Sequence, residues 1–281
     1  MDSYFKNKVV WITGASSGIG EHLAYALADR GARLILSSRN ERELNRVRDN
    51  CRSGTDILVL PLDITNFAAI PNAVKTVQDQ FRQIDILINN AGVSQRALIK
   101  ETQFEVDQQL IATNYFGPVA LTKFVLPDML KNQAGHIVVI SSVLGKMSIP
   151  YRSGYAASKH ALHGYFEVLR AEVAAENIKV TIICPGYVHT NVTINALTGD
   201  GSAYQIMAQA TSDGMTPEYF AARALYVIER GKKEAIIAGK ERFAVWLKQY
   251  LPRVFFYLTL KNFNPNKNGY SNGKSAAHGR G

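Results

Sequence analysis

Tyr155 and Lys159, in the run Ser153-Gly-Tyr-Ala-Ala-Ser-Lys159, stand four residues apart. That spacing puts a phenol and an ammonium on one face of a helix. Such a pair can move a proton. A free phenol titrates at about 10, so nearby positive charge has to lower it before it exchanges protons usefully near neutrality. Lys159 supplies a charge of that kind. An ordinary helix surface shows the same spacing often, so the pair has meaning only with the rest of the chain.

Near the N-terminus, Val9-Val-Trp-Ile-Thr13 is an apolar, β-rich run that leads into Gly14-Ala-Ser-Ser-Gly18-Ile-Gly20 and then into the helical pattern Leu23, Ala24, Leu27, Ala28. Strand, glycine loop and helix follow one another. Gly14 permits a tight turn, Gly18 lets backbone approach a pyrophosphate, and Gly20 allows close packing of helix on strand. Ser16, Ser17 and Ile19 fill the loop, and the helix start offers free N–H groups to an anion. A glycine turn without a ligand is the plainer alternative. About 20 residues on, a dinucleotide fold tests the adenosine ribose, and an acidic residue there selects NAD. This chain has Ser38 and Arg39. A guanidinium with no carboxylate beside it favours the 2′-phosphate of NADP, although a solvated arginine would look the same.

Thr13 to Gly20, Asp63-Ile64, Asn89-Asn-Ala-Gly92, Asn114, Ser142, Tyr155, Lys159 and Pro185-Gly186 stand in an order that resembles the short-chain dehydrogenases/reductases. Ser142 precedes the tyrosine by 13 residues, as is usual in that family. The likeness runs over residues 6 to 239 and rests on the combination of motifs. It implies a single-domain, Rossmann-type oxidoreductase in which Tyr155 exchanges the proton, Ser142 holds the substrate oxygen, and Lys159 binds the nicotinamide ribose while lowering the tyrosine pKa. Asn114 would complete a proton relay through water. The resemblance further implies cofactor contacts from Asp63, Ile64, Asn90, Ala91, Gly92, Pro185, Gly186, Val188 and Thr190, and a substrate contact from Tyr187.

The chemistry of a carbonyl agrees with those roles. Hydride arriving at the carbon builds negative charge on the oxygen, which calls for a proton donor and a second hydrogen-bond donor. Tyr155 and Ser142 fit. Ser142 ends the strand pattern His136-Ile-Val-Val-Ile-Ser-Ser142, and alternation turns its neighbour Ser141 the other way. Without the resemblance, Asn114 reads as a helix residue satisfying local backbone, and Asp63 as a helix N-cap.

Six apolar strand patterns, at 9–13, 34–37, 57–60, 84–88, 137–141 and 180–184, alternate with amphipathic helical ones, and 234–239 adds a last strand. That alternation predicts an α/β fold: a doubly wound parallel sheet with helices on both faces, in one domain over residues 1–239. At 281 residues, 47% hydrophobic, the chain is long enough for one such core. Helical patterns at 104–130 and 154–176 bracket the catalytic strand, where the family usually dimerises, so a homodimer or homotetramer is expected. Two cysteines, Cys51 and Cys184, have no ligand spacing beside them, which points to a reducing compartment and no metal. Residues 1–12 lack the apolar core of a signal peptide and no stretch reaches bilayer length, so a cytoplasmic start is expected.

Charge is unevenly placed. Residues 240–281 carry eight Lys and Arg against Glu241 alone, a balance of +7 out of the chain's +9. The nearly neutral body argues against nucleic acid as a partner. Phe243, Trp246, Tyr250, Phe255, Phe256 and Tyr257 accompany the basic residues, so 240–261, interrupted at Pro252, reads as a basic amphipathic element for an anionic membrane surface, or as a helix packed on the core. Residues 262–281, rich in Asn, Gly, Lys and Ser, read as a disordered tail.

Val143, Leu144, Met147, Ile149, Tyr151 and Tyr187 flank the motifs, and a lid is expected at 190–214 with no charged clamp beyond Asp200 and Asp213. A small apolar carbonyl or alcohol, whether lipid-, steroid- or retinoid-like or xenobiotic, is the expected substrate. Two other readings compete. An epimerase or dehydratase of the extended branch would need a larger sugar-binding C-terminal part, and a catalytically silent cofactor-binding adaptor at a membrane would normally have lost Tyr, Ser or Lys.

Overall fold

The computed structural model describes residues 3–206 and 209–263. Seven strands, β1 Val9–Thr13, β2 Arg33–Ser37, β3 Ile57–Val59, β4 Ile86–Asn89, β5 Gly135–Ile140, β6 Ile178–Pro185 and β7 Glu234–Ile237, form one sheet in the order β3-β2-β1-β4-β5-β6-β7. Every pairing is parallel. The expected α/β, doubly wound, single-domain architecture is what is seen, with strand ends displaced by one or two residues where pairing frays.

Strand alternation divides the core. Val10, Ile12, Leu34, Leu36, Ile86, Ile88, Val138 and Ile140 face one way, onto α1 Gly18–Ala28, α2 Glu41–Asp49 and, later in the chain, Pro217–Glu229. Val9, Trp11, Ile35, Leu87, Ile137 and Val139 face the other way, onto α3 Ile70–Phe81 and the later helices Gly117–Asn132 and Ser153–Glu172. Both faces are therefore apolar, which is why these strands read as continuous hydrophobic runs. The one large polar handle in the central strand, the Trp11 indole N–H, donates to Ser37 Oγ at 2.9 Å.

The single helix expected over 104–130 is divided. α4 Phe104–Ile111 passes through a π-helical turn at Ala112–Phe116 into α5 Gly117–Asn132. Pro118 has no N–H to return to the Asn114 carbonyl, so the regular helix ladder cannot run through this point. α6 Ser153–Glu172 follows β5, α7 Gln209–Ser212 lies in the expected lid, and α8 Pro217–Glu229 precedes β7. The basic segment forms α9 Glu241–Tyr250 and α10 Pro252–Asn262. Val245, Leu247 and Phe255 are buried against Val143, Leu144 and Met147, so this helix pair backs the wall behind the catalytic motifs. The tail expected to be disordered lies, from residue 264 on, outside the described residues. Among the described residues no helix is long and apolar enough to cross a membrane.

Candidate active site

Strand order reverses between β1 and β4, and in doubly wound sheets the crevice at the carboxyl ends of such strands takes ligands. Two sequence motifs meet there. The Asn90 and Ala91 N–H groups both donate to Thr13 Oγ1 at 3.1 Å, and Asn90 Nδ2 donates to the carbonyls of Thr13 and Gly14. The glycine loop is thus tied to the turn after β4. Gly14 and Gly18 adopt φ of +64° and +58°, and a Cβ on Gly14 would lie 2.8 Å from Ala91 Cα. Ser17 stands at the N-cap of α1 without capping it by its side chain, which leaves first-turn N–H groups open to an anion.

From this loop a cavity of about 480 Å³ runs along the strand ends. Gly14, Ser16, Ser17, Gly18 and Ile19 line its start, followed by Ser38, Arg39, Asp63 and Ile64, then Asn90, Ala91 and Gly92. Ser142, Tyr155, Lys159, Pro185, Gly186, Val188 and Thr190 line its far part. A glycine cradle, an uncapped helix start and a cavity with both polar and apolar lining fit a dinucleotide. Gly20 does not line the cavity; a Cβ there would come within 2.2 Å of the Gly14 carbonyl oxygen, so its role is packing. Asp63 Oδ1 accepts from the Thr65 N–H and hydroxyl, fixing the turn after β3 as well as facing the trough.

Tyr155 and Lys159 project from the first turns of α6. That helix start has no side-chain cap of its own, and Gln95 replaces it: its Oε1 accepts from the Gly154 and Tyr155 N–H groups at 2.8 and 3.2 Å. Sequence reading missed Gln95, which is distant in the chain and carries no motif. Burial pushes the Tyr155 phenol above its ordinary pKa, opposed by a hydrogen bond with Ser142 and by the charge of Arg152. This differs from the expectation that Lys159 lowers it. Lys159 Nζ lies 5.8 Å from the Tyr155 ring centroid and donates to the Ile140 carbonyl at 3.0 Å. Burial brings Lys159 itself down to about 8.

Ser142 begins just past β5, its Oγ accepting from the Leu144 N–H at 3.1 Å. Ser141 turns toward α6, donating to the Lys159 carbonyl and meeting His163 Nε2 at 3.2 Å. Cys184 Sγ lies 3.6 Å from Nε2 of that same His163, 21 residues away in the chain. His163 Nδ1 in turn approaches Glu167 and Glu234, a grouping with ligand-like proximity, although Lys146 pairs with Glu234 at 2.7 Å. Asn114 is wholly buried and does not border the cavity: its Oδ1 accepts from Val93 N–H and its Nδ2 donates to the Val93 carbonyl and Ser158 Oγ. These bonds reach 21 and 44 residues along the chain, so Asn114 ties the π turn to the segment after β4 and to α6 rather than to its own local backbone.

A second lobe continues past Ser142 and Tyr155. Val143, Leu144, Met147, Ile149 and Tyr187 line it, together with Val192, Thr193 and Thr211 of the lid segment. Tyr151 does not; it packs on Phe263 instead. Arg152 and Glu241 do line it, and neither stood out in the sequence.

The model of the short chain dehydrogenase family matches residues 8–200. The chain is a short-chain dehydrogenase/reductase. It is 44% identical over 262 residues to Dehydrogenase/reductase SDR family member 7B of Xenopus laevis, covering 90% of this chain and 81% of the relative. It is also 44% identical to the SDR family protein 7-like of Drosophila melanogaster, over 90% of this chain and 80% of that one. Among solved structures, a short-chain dehydrogenase from Streptomyces avermitilis superposes with a TM-score of 0.76 at 30% identity, covering 91% of this chain and 96% of its own. One from Burkholderia cenocepacia, solved in complex with NADP, gives 0.77 at 23% identity over 91% and 98%, a likeness of fold. This short-chain dehydrogenase/reductase is therefore an oxidoreductase, and its membership supports a nicotinamide cofactor and a small-molecule substrate.

Proposed function

We propose that the enzyme is an NADP(H)-dependent oxidoreductase that interconverts a carbonyl and an alcohol on a largely apolar substrate. The observation that carries this reading is the convergence of Ser142, Tyr155 and Lys159 on one cavity, continuous at one end with the glycine loop and at the other with an apolar lobe. A nicotinamide cofactor held by the glycine loop and the cavity beyond it would supply or accept the hydride. Tyr155 gives its proton to the developing alkoxide, Ser142 holds that oxygen by a second hydrogen bond, and the lobe excludes water. Lys159 would hold the cofactor ribose, and its charge would favour the phenolate that Tyr155 becomes until solvent returns the proton. Asn114, with all its bonds on Val93 and Ser158, positions the turn after β4 and so Gly92. Cofactor oxidation by the purified chain across a panel of aliphatic, steroid and aromatic ketones tests the reading; no turnover of any of them would favour the silent adaptor.

Arg39 at the cavity rim supports the choice of NADP over NAD. A charge-assisted contact to the 2′-phosphate is worth about 1.5–3 kcal/mol, so Arg39→Asp is expected to change the NADPH to NADH preference about tenfold or more. Equal affinity of the unaltered protein for the two, measured by titration, would rule this out.

Phe104, Phe116, Phe124 and Val168 stand exposed on α4, the π turn, α5 and α6, which supports assembly as a homodimer or homotetramer. On α9 and α10, Phe243, Trp246, Tyr250, Phe256 and Tyr257 are exposed among Lys240, Arg242, Lys248, Arg253 and Lys261. That surface supports reversible contact of a cytoplasmic enzyme with an anionic membrane, at about 1 kcal/mol for each basic residue near the lipid. The full chain is expected to sediment with phosphatidylserine liposomes at low salt, less so as Phe243→Ser with Phe256→Ser. Retention in the supernatant removes the membrane reading.

A further inference from the structure

Arg152 stands three residues before Tyr155, at the N-cap of α6, and is almost wholly buried, at 7% exposure. Its Nη1 donates to the Ser94 hydroxyl and to the Gln95 carbonyl at 2.7 Å. Among the described residues no carboxylate pairs with it, and none accepts from its Nε or Nη2. A buried guanidinium has five donors in a fixed fork, and leaving it without an anion is costly. Its position makes that cost informative, because it lines the same lobe as Ser142, Tyr155 and the apolar wall Val143, Leu144, Met147 and Ile149. Burial and the neighbouring Arg96 bring its pKa down to about 10, which leaves it charged at neutral pH.

We propose that Arg152 receives an anionic oxygen group of the substrate, a carboxylate or a phosphate ester, so that the enzyme acts on carbonyl amphiphiles with one charged end and one apolar end. This rests on the carbonyl–alcohol reading of the same site. The two bonds on Nη1 lock the guanidinium to the turn after β4 and leave the Nε and Nη2 edge for a bidentate acceptor. Glu241 is the other charged group lining the lobe. Its Oε1 accepts from the Tyr187 N–H at 3.2 Å, and its Oε2 is buried with no partner. It repels an anion from the α9 side, which confines the charged end to Arg152, and can accept a hydrogen bond from a substrate hydroxyl.

The test uses chain-matched ketones that are uncharged, carboxylated or phosphorylated at one end, with the full-length enzyme and NADPH. The unaltered enzyme is expected to favour at least one anionic series over the neutral one in kcat/KM by about tenfold or more. Which series gains separates carboxylate from phosphate. In Arg152→Gln that ratio is expected to collapse toward one, and Arg152→Lys to restore part of it, since an ammonium keeps the charge but loses the fork. Because Arg152 also ties α6 to the turn after β4, Arg152→Gln is compared only where NADPH binding and the melting temperature show it folded. The unaltered enzyme alone still decides the matter: no preference for either anion overturns the proposal. Titration of the NADPH-bound enzyme with octanoate, octyl phosphate and octanol keeps the two readings apart. Tighter binding of an anion with no ketone turnover would sink the carbonyl–alcohol reading while leaving the anion seat, and ketone turnover with equal binding of all three would do the reverse.

Discussion

Tyr155→Phe is expected to lower turnover by at least about a hundredfold with NADPH affinity nearly unchanged. The substitution removes one oxygen and keeps the ring. Tyr155 packs partly against the apolar groups behind the site, so the phenylalanine fills the same space and the fold is kept. What disappears is the only phenol bordering the cavity beside Ser142 and Lys159 among the residues lining it. With burial holding that phenol protonated, it is suited to give a proton when negative charge forms on a carbonyl oxygen. Ser142 can still hydrogen-bond the oxygen, which is why a residual rate is expected rather than none. Steady-state rates with the best ketone, alongside a direct NADPH titration, check this. A variant with full activity would end the assignment of Tyr155, and one that lost cofactor binding equally would show a structural role instead.

Gly20→Ala is expected to destabilise the protein by about 3 kcal/mol and to weaken cofactor binding with it. The added methyl would meet the Gly14 carbonyl oxygen at 2.2 Å and Asn90 Nδ2 at 2.6 Å. Backbone on one side and a side chain engaged in two hydrogen bonds on the other leave no cheap relaxation, so α1 must move away from the loop. Gly164→Ala is the matched control, with the opposite sign. Nothing lies within 4 Å of a Cβ there, and the position is inside α6, so it should gain about 0.5–1 kcal/mol from helix propensity. Thermal melts of both variants, with and without NADPH, separate the effects. A Gly20→Ala protein that melts and binds as the parent does would contradict the packing role.

Much of the fold was legible because a parallel sheet covered on both faces needs apolar runs with little polar interruption, and those runs are local in sequence. β1, the glycine loop and α1 could be read from twenty consecutive residues, and so could the pairing of Tyr155 with Lys159 on one helix. The break at Ala112–Phe116 was less legible: Pro118 signals a disturbance, but whether it ends a helix or inserts a π turn depends on Asn114 reaching Val93 and Ser158 across the fold. The boundaries of α9 and α10 followed Pro252, whereas their burial did not, since Phe and Trp at helical spacing suit a core and a lipid surface equally. Val245, Leu247 and Phe255 face Val143, Leu144 and Met147, while Phe243, Trp246 and Phe256 are left outside.

The sequence by itself determined the α/β architecture, the family, the glycine cradle and the placing of Tyr155 and Lys159 on one helix face, because each is written in a contiguous motif whose geometry depends on spacing. Tertiary structure alone decided what stands around them. Gln95 caps α6 from 59 and 60 residues away, Cys184 comes to His163, and Arg152 and Glu241 line one lobe although far apart in the chain. Burial also reversed the expected pKa direction at Tyr155, since desolvation of a phenol depends on everything packed over it and a spacing of four residues carries no information about that.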